Sequence, residues 1–186
     1  MAVQEQLYTL EEYRKIALLP ENEDKRLEWE SGVIVDMGSS SRLNAVIAAR
    51  IIYFLNLHVI PNDLGYVTGP DAGFLLNPVG RVRLPDAAFI SKARGVDLMG
   101  VEFDVAPDLA VEVVSPDEDV FRKVKEYIRS GTRMVLAVYG QEKVVDVFTP
   151  TLEGEYRVQE LTLEDTFDGG EVLPGFKLRL TDIFPA

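Results

Sequence analysis

The sequence predicts a fold of the α/β class, or of the mixed α+β class, from three kinds of segment. Residues 109–114 form an apolar run between turn signals, which is typical of a strand buried on both faces. Residues 43–59 have the apolar spacing of a long helix with a thin polar face. Residues 26–37 contain two short strands around a Ser-Gly pair, which is a hairpin signal. Strands and helices are thus interspersed along the chain.

Two further helices are predicted from their start signals. Thr9 and Glu12 have the spacing of a capping box, which would open a short helix ending near Leu18. The segment Ser115-Pro116-Asp117-Glu118 has the same pattern with proline at the first helical position. Gly131 is the expected C-cap of this helix.

The remaining regular segments alternate in polarity or are continuously apolar, as strands are. Strands are predicted at residues 26–30, 33–37, 64–69, 73–76, 82–90, 109–114, 133–139, 143–149, 155–161 and 176–181. Residues 91–106, rich in glycine and charge, are expected to form a loop. Because no repeat or linker interrupts the pattern, residues 1–186 are predicted to form one domain.

Composition narrows the class of protein. The chain has no cysteine, which excludes disulfides and thiolate metal sites. Its start lacks the pattern of a signal peptide, and no apolar stretch approaches the roughly 20 residues needed to cross a membrane. We therefore expect a soluble, cytoplasmic protein with no membrane partner. The net charge of −12 opposes tight non-specific binding to duplex DNA, although a local basic rim could still bind it.

Two carboxylates fall on strand faces that are otherwise apolar. Glu112 lies within the buried run 109–114, where an unpaired carboxylate costs several kcal/mol. Asp86 alternates with apolar residues of the segment 82–90, in which Pro85 marks a strand start or a bulge. Carboxylates on neighbouring strands repel unless a cation lies between them, and such ligands favour Mg²⁺ or Mn²⁺. Asp86 and Glu112 are therefore the first candidate site residues.

Other Pro-Asp pairs are weaker candidates. Asp108 shares a strand face with Glu112, but four residues along a strand span about 13 Å, too far to share one ion. Asp71 and Asp117 lie in turn-like contexts. His58, the single histidine, lies near a helix end and is expected at the surface.

The helix that follows Glu112 supplies a basic group. Its predicted buried stripe is formed by Val120, Phe121, Val124 and Ile128. Lys123 and Tyr127 lie along one flank of this stripe and Lys125 on the other, so either lysine could lean over the sheet. Arg122 and Arg129 are expected to point into solvent.

These residues resemble the PD-(D/E)XK nuclease superfamily and, more narrowly, the Uma2 family, also called DUF820. In the general pattern the lysine follows the acid by two residues, a position held here by Val114. In Uma2-like sequences it has moved to the next helix, four residues before a tyrosine that precedes a glycine by four. Lys123, Tyr127 and Gly131 reproduce that spacing, which favours Lys123 over Lys125.

The resemblance covers nearly the whole chain, from RLEWESGVIVDM to LPGFKLRLTDIF. In the first of these segments Glu28 matches an acidic position of the family. Many relatives have a histidine near the start of the long second helix, where this chain has Asn44. The implied fold is a restriction-endonuclease-like mixed central β-sheet flanked by helices.

The resemblance implies a divalent-metal-dependent endonuclease that hydrolyses DNA. Asp86 and Glu112 would hold Mg²⁺ or Mn²⁺ with help from Glu28. Lys123, supported by Tyr127, would orient or help deprotonate the attacking water and stabilise charge on the phosphate.

Ordinary structural roles remain open beside this interpretation. Asp86 could end a strand, Lys123 could pair with Asp119, and Tyr127 could border the core. A non-catalytic binding or assembly module, forming a homodimer through its apolar helix, is the main alternative function. Glycoside hydrolysis by paired carboxylates is a third and would not depend on a divalent metal.

Overall fold

Most strands belong to two β-sheets in the computed structural model, which describes residues 6–116, 118–152 and 155–185. The helices are α1 (Leu10–Ala17), α2 (Arg42–Val59), α3 (Val120–Arg129) and α4 (Leu180–Ile183), with 3₁₀ turns at Pro20–Asn22 and Lys92–Arg94. The strands are β1 (Leu27–Glu30), β2 (Val33–Asp36), β3 (Gly65–Thr68), β4 (Gly73–Leu76), β5 (Arg81–Arg83), β6 (Ala87–Ser91), β7 (Glu102–Phe103), β8 (Leu109–Val113), β9 (Met134–Tyr139), β10 (Val144–Pro150), β11 (Tyr156–Leu161), β12 (Thr166–Asp168) and β13 (Lys177–Arg179).

Both large sheets are mixed. The six-stranded sheet has the order β11-β10-β9-β8-β6-β3, and its β8–β9 pair is parallel while the other pairs are antiparallel. The five-stranded sheet has the order β2-β1-β5-β4-β7 with a parallel β4–β7 pair. Strands β12 and β13 form a small separate ribbon. The predicted mixed α+β class with a central mixed sheet is confirmed.

Helices cover both faces of the six-stranded sheet. On one face, α2 buries Ile47, Ile51 and Leu55 in a cluster with Leu109 and Val111 of β8. On the other face, α3 packs against a second apolar cluster that includes the alternate residues of β8. A strand covered on both sides has apolar residues on both faces, which explains why β8 is apolar apart from Glu112. Glu112 points toward the α3 side.

The first elements agree with their sequence signals. Helix α1 has the predicted capping box between Thr9 and Glu12. Helix α2 begins one residue before the predicted start and ends at Val59. Ser31 and Gly32 have φ angles of 50° and 105°, the positive values that a two-residue hairpin loop of type I′ requires.

The segment 82–90 is two strands and not the single strand that its alternation predicts. Strand β5 ends at Arg83 in the five-stranded sheet, and β6 begins at Ala87 in the six-stranded sheet. Pro85, which has no N–H to donate to a ladder, lies in the break between them. The chain therefore crosses from one sheet to the other just before the Asp86 position.

The C-terminal strand prediction was also partly wrong. Within 176–181 only Lys177–Arg179 is a strand, and Leu180 already belongs to α4. Strand β12, at Thr166–Asp168, has no counterpart among the predicted strands. Its three residues are too few for an alternating pattern to be visible in the sequence.

Helix α3 begins later than predicted. Its first residue is Val120, and the Asp119 side chain caps it by accepting a hydrogen bond from the Arg122 amide at 3.1 Å. Only half of the predicted capping box forms. Glu118 Oε2 accepts a hydrogen bond from the Ser115 amide at 3.0 Å, but the Glu118 amide donates to the Ser115 carbonyl oxygen and not to its side chain. Asp117 lies outside the described residues. At the other end Gly131, with φ of 96°, follows the C-cap residue Ser130.

The buried face of α3 also differs from the predicted apolar stripe. The side chain of Phe121 is 48% exposed, and three polar residues are buried in place of it. They are Lys123, Glu126 and Tyr127. Buried ion pairs replace apolar contacts on this face. The spacing of apolar residues alone therefore predicts the wrong rotation of α3 about its own axis.

Helix α2 leaves apolar side chains on its outer face. Val46, Tyr53 and Leu57 are 43%, 58% and 54% exposed. The homodimer expected from this helix stays a prediction. Among the described residues, no helix is both long enough and apolar enough to cross a membrane.

Candidate active site

Asp86 and Glu112 lie side by side on neighbouring antiparallel strands. In the ladder between β6 and β8, Ala87 is opposite Val111, so the next residues outward are Asp86 and Glu112. Asp86 Oδ2 accepts a hydrogen bond from the Val113 amide at 2.8 Å, which fixes this carboxylate at the end of the ladder. The sequence-predicted pair is therefore brought together in one pocket.

Two side chains of α3 bind the Glu112 carboxylate. Lys123 Nζ donates to Glu112 Oε2 at 2.9 Å, and Tyr127 Oη donates to Oε1 at 2.8 Å. Glu112, Lys123 and Tyr127 are only 2%, 5% and 0% exposed. Lys125 is exposed on the other side of the helix. Of the two candidate lysines, the structure places Lys123 beside the carboxylate.

Lys123 lies between two carboxylates, since its Nζ is also 2.7 Å from Glu118 Oε1. Burial alone would lower the pKa of Lys123, but the carboxylates of Glu112, Glu28 and Glu118 outweigh burial and raise this pKa. The ammonium therefore keeps its proton at neutral pH. It can donate hydrogen bonds and stabilise negative charge, but it cannot accept a proton from water in this arrangement.

The two central carboxylates are hard to ionise. Burial raises the pKa of Glu112 to about 7, against the opposing effect of Lys123 and with help from the neighbouring carboxylate of Asp86. Burial also raises the pKa of Asp86, although the Val113 amide and Arg26 oppose the increase. Perturbation of this kind is typical of functional sites, because a bound cation would relieve it.

Glu28 has a different environment. It is 0% exposed, its Oε1 accepts from the Leu84 amide at 3.0 Å, and its Oε2 is paired with Arg83. Arg83 in turn contacts Glu30 at 2.5 Å and Glu126 at 2.7 Å. Glu28 therefore belongs to a buried ion network that joins β1, β5 and α3.

The ligand set expected from the resemblance, Asp86 with Glu112 and Glu28, is not assembled here as a metal site. Within the described ranges, no group of three or more His, Cys, Asp or Glu residues has the spacing to hold a metal ion. Glu28 is paired with Arg83 and does not line the pocket that contains Asp86 and Glu112. The sequence does not show this, because Arg83 is 55 residues from Glu28 in the chain.

Asp86 and Glu112 by themselves fit a small hard cation. Each oxygen of Glu112 accepts one hydrogen bond and so keeps a free lone pair. Asp86 Oδ1 has only a long contact of 3.4 Å to Arg26. The pocket above them has a volume of about 60 Å³, which is room for an ion and a few waters. Its lining residues are Arg26, Met37, Ser39, Ser40, Leu84, Asp86, Glu112, Val113, Ser115, Glu118 and Lys123.

Sequence reasoning missed two charged residues of this pocket, Arg26 and Glu118. Strand alternation places Arg26, Glu28 and Glu30 on one face, but it does not indicate that Arg26 reaches the pocket. Glu118 was interpreted only as part of a helix cap. In the structure it has both roles, since one oxygen accepts from Ser115 and the other pairs with Lys123.

Three other polar residues have structural partners. Asn44 Nδ2 donates to the Val113 carbonyl at 3.1 Å and so supports the end of β8. Asp108, at the opposite end of β8, accepts from the Ser91 amide at 2.9 Å and pairs with Arg94. His58 Nε2 lies 3.1 Å from the Pro174 carbonyl oxygen, away from the pocket.

Comparison with known proteins gives one family and one fold. Residues 10–181 match the Uma2 family, described as "Putative restriction endonuclease". The chain is also similar to the crystal structure of a "putative nuclease belonging to DUF820" from Anabaena variabilis ATCC 29413, with a TM-score of 0.77 and 22% identity over 95% of this chain and 97% of the other. This likeness establishes the fold alone. None of the curated proteins matches this chain. Because the family match spans nearly the whole sequence, the chain belongs to the Uma2 family.

Proposed function

We propose that this protein is a divalent-metal-dependent endonuclease that hydrolyses DNA phosphodiester bonds. Family membership supports a nuclease. The observation that carries the proposal is the Glu112 carboxylate, which is buried beside Asp86 and bound by Lys123 and Tyr127. Burial raises the pKa of this carboxyl group to about 7, so its ionised form costs stability at neutral pH and a bound cation would offset that cost.

In this proposal Asp86 and Glu112 hold Mg²⁺ or Mn²⁺. Such an ion supplies Lewis-acid polarisation of a phosphoryl oxygen and lowers the pKa of bound water. Tyr127 holds one oxygen of Glu112, so the carboxylate presents its remaining lone pairs to the pocket. Glu28 supports the site through Arg83 and not as a direct ligand, because it is fully buried and does not line the pocket.

Lys123 acts on the phosphate by charge. With its pKa raised by neighbouring carboxylates, it stays protonated and stabilises negative charge that develops in the transition state. Orienting the attacking water is compatible with an ammonium, whereas deprotonating it is not. This separates the two roles that the sequence left open for Lys123.

The charges of the pocket explain why an ion is needed. Its ionisable lining groups are three carboxylates, from Asp86, Glu112 and Glu118, and two cations, from Arg26 and Lys123. When all five are ionised, one net negative charge remains and repels a phosphodiester. A divalent cation changes the sum to one net positive charge, which attracts it.

Cleavage of supercoiled plasmid DNA tests the proposal directly. The parent protein is expected to nick or linearise the plasmid with Mg²⁺ or Mn²⁺ and not with EDTA. Asp86→Ala, Glu112→Ala and Lys123→Ala should each lower the rate by 100-fold or more, on the order of removing one charge-stabilising group.

Asp71→Ala is the matched control, since Asp71 also follows a proline but is exposed. Its rate should equal that of the parent. Equal rates for the parent and all three site variants would reject the proposal, because the activity would then come from another site or a contaminant.

Two observations favour the alternative of a non-catalytic binding or assembly protein. The pocket holds only about 60 Å³, and Lys123 is neutralised by two carboxylates. A parent protein that leaves DNA intact with either ion would support this alternative. The cytoplasmic location and the homodimer stay predictions.

A further inference from the structure

We propose that Arg26 is the residue that binds the phosphate of the DNA substrate in this pocket. The inference rests on the proposed function and adds a residue that neither the family pattern nor the sequence singled out. It follows from where the guanidinium lies, from how weakly it is held, and from the state of the other cation in the pocket.

Arg26 brings a positive charge to the open side of the carboxylate pair. It directly precedes β1 in the five-stranded sheet, and its side chain crosses to the pocket at the end of β6 and β8. The side chain is 19% exposed and lines the pocket. Asp86, with which it makes its one ionic contact, lies directly beneath.

The partners of Arg26 are weak and mostly neutral. Nη1 donates to Ser40 Oγ at 3.2 Å, Nη2 to the Leu84 carbonyl at 3.2 Å, and Nε to the Pro70 carbonyl at 3.3 Å. The contact of Nη2 with Asp86 Oδ1 is 3.4 Å. Charge-assisted bonds of arginine to carboxylates or phosphates are normally about 2.7–2.9 Å. A phosphate oxygen would therefore replace these partners with little loss.

Lys123 cannot take this role equally well. Its ammonium is already bound by Glu112 at 2.9 Å and by Glu118 at 2.7 Å, and it is only 5% exposed. Among the described residues, Arg26 and Lys123 are the two cationic side chains that line the pocket. Arg26 thus offers the more available positive charge, and its planar fork matches a phosphodiester.

A competing role would be purely local, with Arg26 serving only to balance the charge of Asp86. The two roles predict different results for ion binding and DNA binding. If Arg26 only balances the charge of Asp86, its removal leaves Asp86 less well held and alters the ion site. If Arg26 binds phosphate, its removal leaves the ion site intact and weakens only the attraction for DNA.

The experiment compares Arg26→Gln and Arg26→Lys with the parent by fluorescence anisotropy of a labelled DNA duplex in the presence of Ca²⁺. We expect Arg26→Gln to weaken binding about tenfold or more, and to lower the slope of log affinity against log salt by about 1. Arg26→Lys should restore the slope but only part of the affinity, since lysine keeps the charge without the fork.

Calorimetric titration of Mn²⁺ completes the comparison, with Arg157→Gln as the matched control because Arg157 is exposed on the edge strand β11. Under the proposal, Mn²⁺ affinity does not fall in Arg26→Gln, and Arg157→Gln leaves the DNA affinity and its salt slope close to the parent values.

Three results would overturn the inference. Unchanged DNA affinity in Arg26→Gln, with parent activity intact, removes the role of Arg26 but leaves the nuclease proposal standing. A loss of Mn²⁺ binding in Arg26→Gln assigns Arg26 to Asp86 alone. A parent that neither binds nor cleaves DNA removes the proposed function, and the role of Arg26 with it.

Discussion

At the scale of single residues, the proposed chemistry depends most on Glu112. Its carboxyl group has two good donors, yet burial and three nearby carboxylates make its ionised form unfavourable. A cation placed against Glu112 and Asp86 would reverse this balance. Without an ion, the site therefore carries an electrostatic cost. Binding of an ion would relieve this cost.

We first predict that Glu112→Gln stabilises the ion-free protein at high pH. The pKa of Glu112 rises from 4.5 to about 7 on folding, so the folded protein binds more protons than the unfolded chain between these values. Stability should fall as pH rises through this window and stay lower above it. At about 1.4 kcal/mol for each pKa unit, the fall is on the order of 3 kcal/mol.

Urea denaturation in EDTA, at about pH 5 and about pH 8, measures this effect. The parent should lose stability relative to Glu112→Gln between the two values. Glu160→Gln serves as the control because Glu160 is exposed on β11. If the difference between the parent and Glu112→Gln is independent of pH, the raised pKa is wrong.

The second prediction concerns the pH dependence of ion binding. A metal ion needs the ionised carboxylate, so below the pKa of about 7 its binding must release the Glu112 proton. Mn²⁺ affinity should rise by about tenfold per pH unit up to about pH 7 and then level off. Calorimetry in two buffers of different ionisation enthalpy would detect the released proton. An affinity that is constant from acid to neutral pH would exclude Glu112 as a ligand.

How far the sequence predicts these residues depends on the distance between partners along the chain. Glu112 could be predicted because a carboxylate in an apolar strand is costly, and Lys123 because its spacing to Tyr127 and Gly131 matches the pattern of the Uma2 family. The partners of Glu28 could not be predicted. Its ion pair with Arg83 joins residues from separate segments, and no local pattern specifies that pairing.

At the scale of elements, α3 is the part whose placement most affects the site. It carries Lys123 and Tyr127, and Glu126 of the same helix is bound by Arg83 of β5 at 2.7 Å. Arg83 also holds Glu28 of β1, so one guanidinium fixes the helix against the five-stranded sheet. The position of Lys123 over Glu112 depends on this buried network.

The third prediction is that Arg83→Met destabilises the fold strongly. Arg83 is fully buried, and its removal leaves the buried Glu28 carboxylate with the Leu84 amide as its remaining donor. Breaking a buried ion pair from one side typically costs about 3–5 kcal/mol. Chemical denaturation would measure the loss, and Arg129→Met, at the exposed end of α3, should change stability by about 0.5 kcal/mol or less. If Arg83→Met also lowered the free energy of unfolding by only about 0.5 kcal/mol, the ion network would not be what stabilises the fold.

Elements were predictable where local chemistry decided them. The α1 capping box and the Ser31-Gly32 hairpin were confirmed because both are set by a few adjacent residues. Pro85 was interpreted as a strand start or a bulge, but the passage of the chain from one sheet to the other at this point and the rotation of α3 were missed, because each is decided by tertiary partners. In α3, buried Lys123 and Glu126 interrupt the apolar period that sequence reasoning follows.

At the scale of the whole molecule, the candidate site lies where the two large sheets meet. Glu112 belongs to the six-stranded sheet, Arg26 precedes a strand of the five-stranded sheet, and Asp86 lies in the segment that joins them. The lysine comes from the helix that packs against both. An ion bound here therefore connects parts that are otherwise held by the Arg83 network and by apolar contacts.

The last prediction follows from that position. An ion that binds only the folded state stabilises it by about 2.7 kcal/mol at one hundred times its Kd. For a domain of this size, 1 kcal/mol shifts Tm by about 2–4 °C, so Mn²⁺ should raise Tm by about 5–10 °C. Asp86→Ala and Glu112→Ala should show no such shift, while Asp71→Ala should keep it. A rise of the same size in all of them would place the ion elsewhere on this acidic protein. A rise lost in both site variants would locate the ion at the junction of the two sheets.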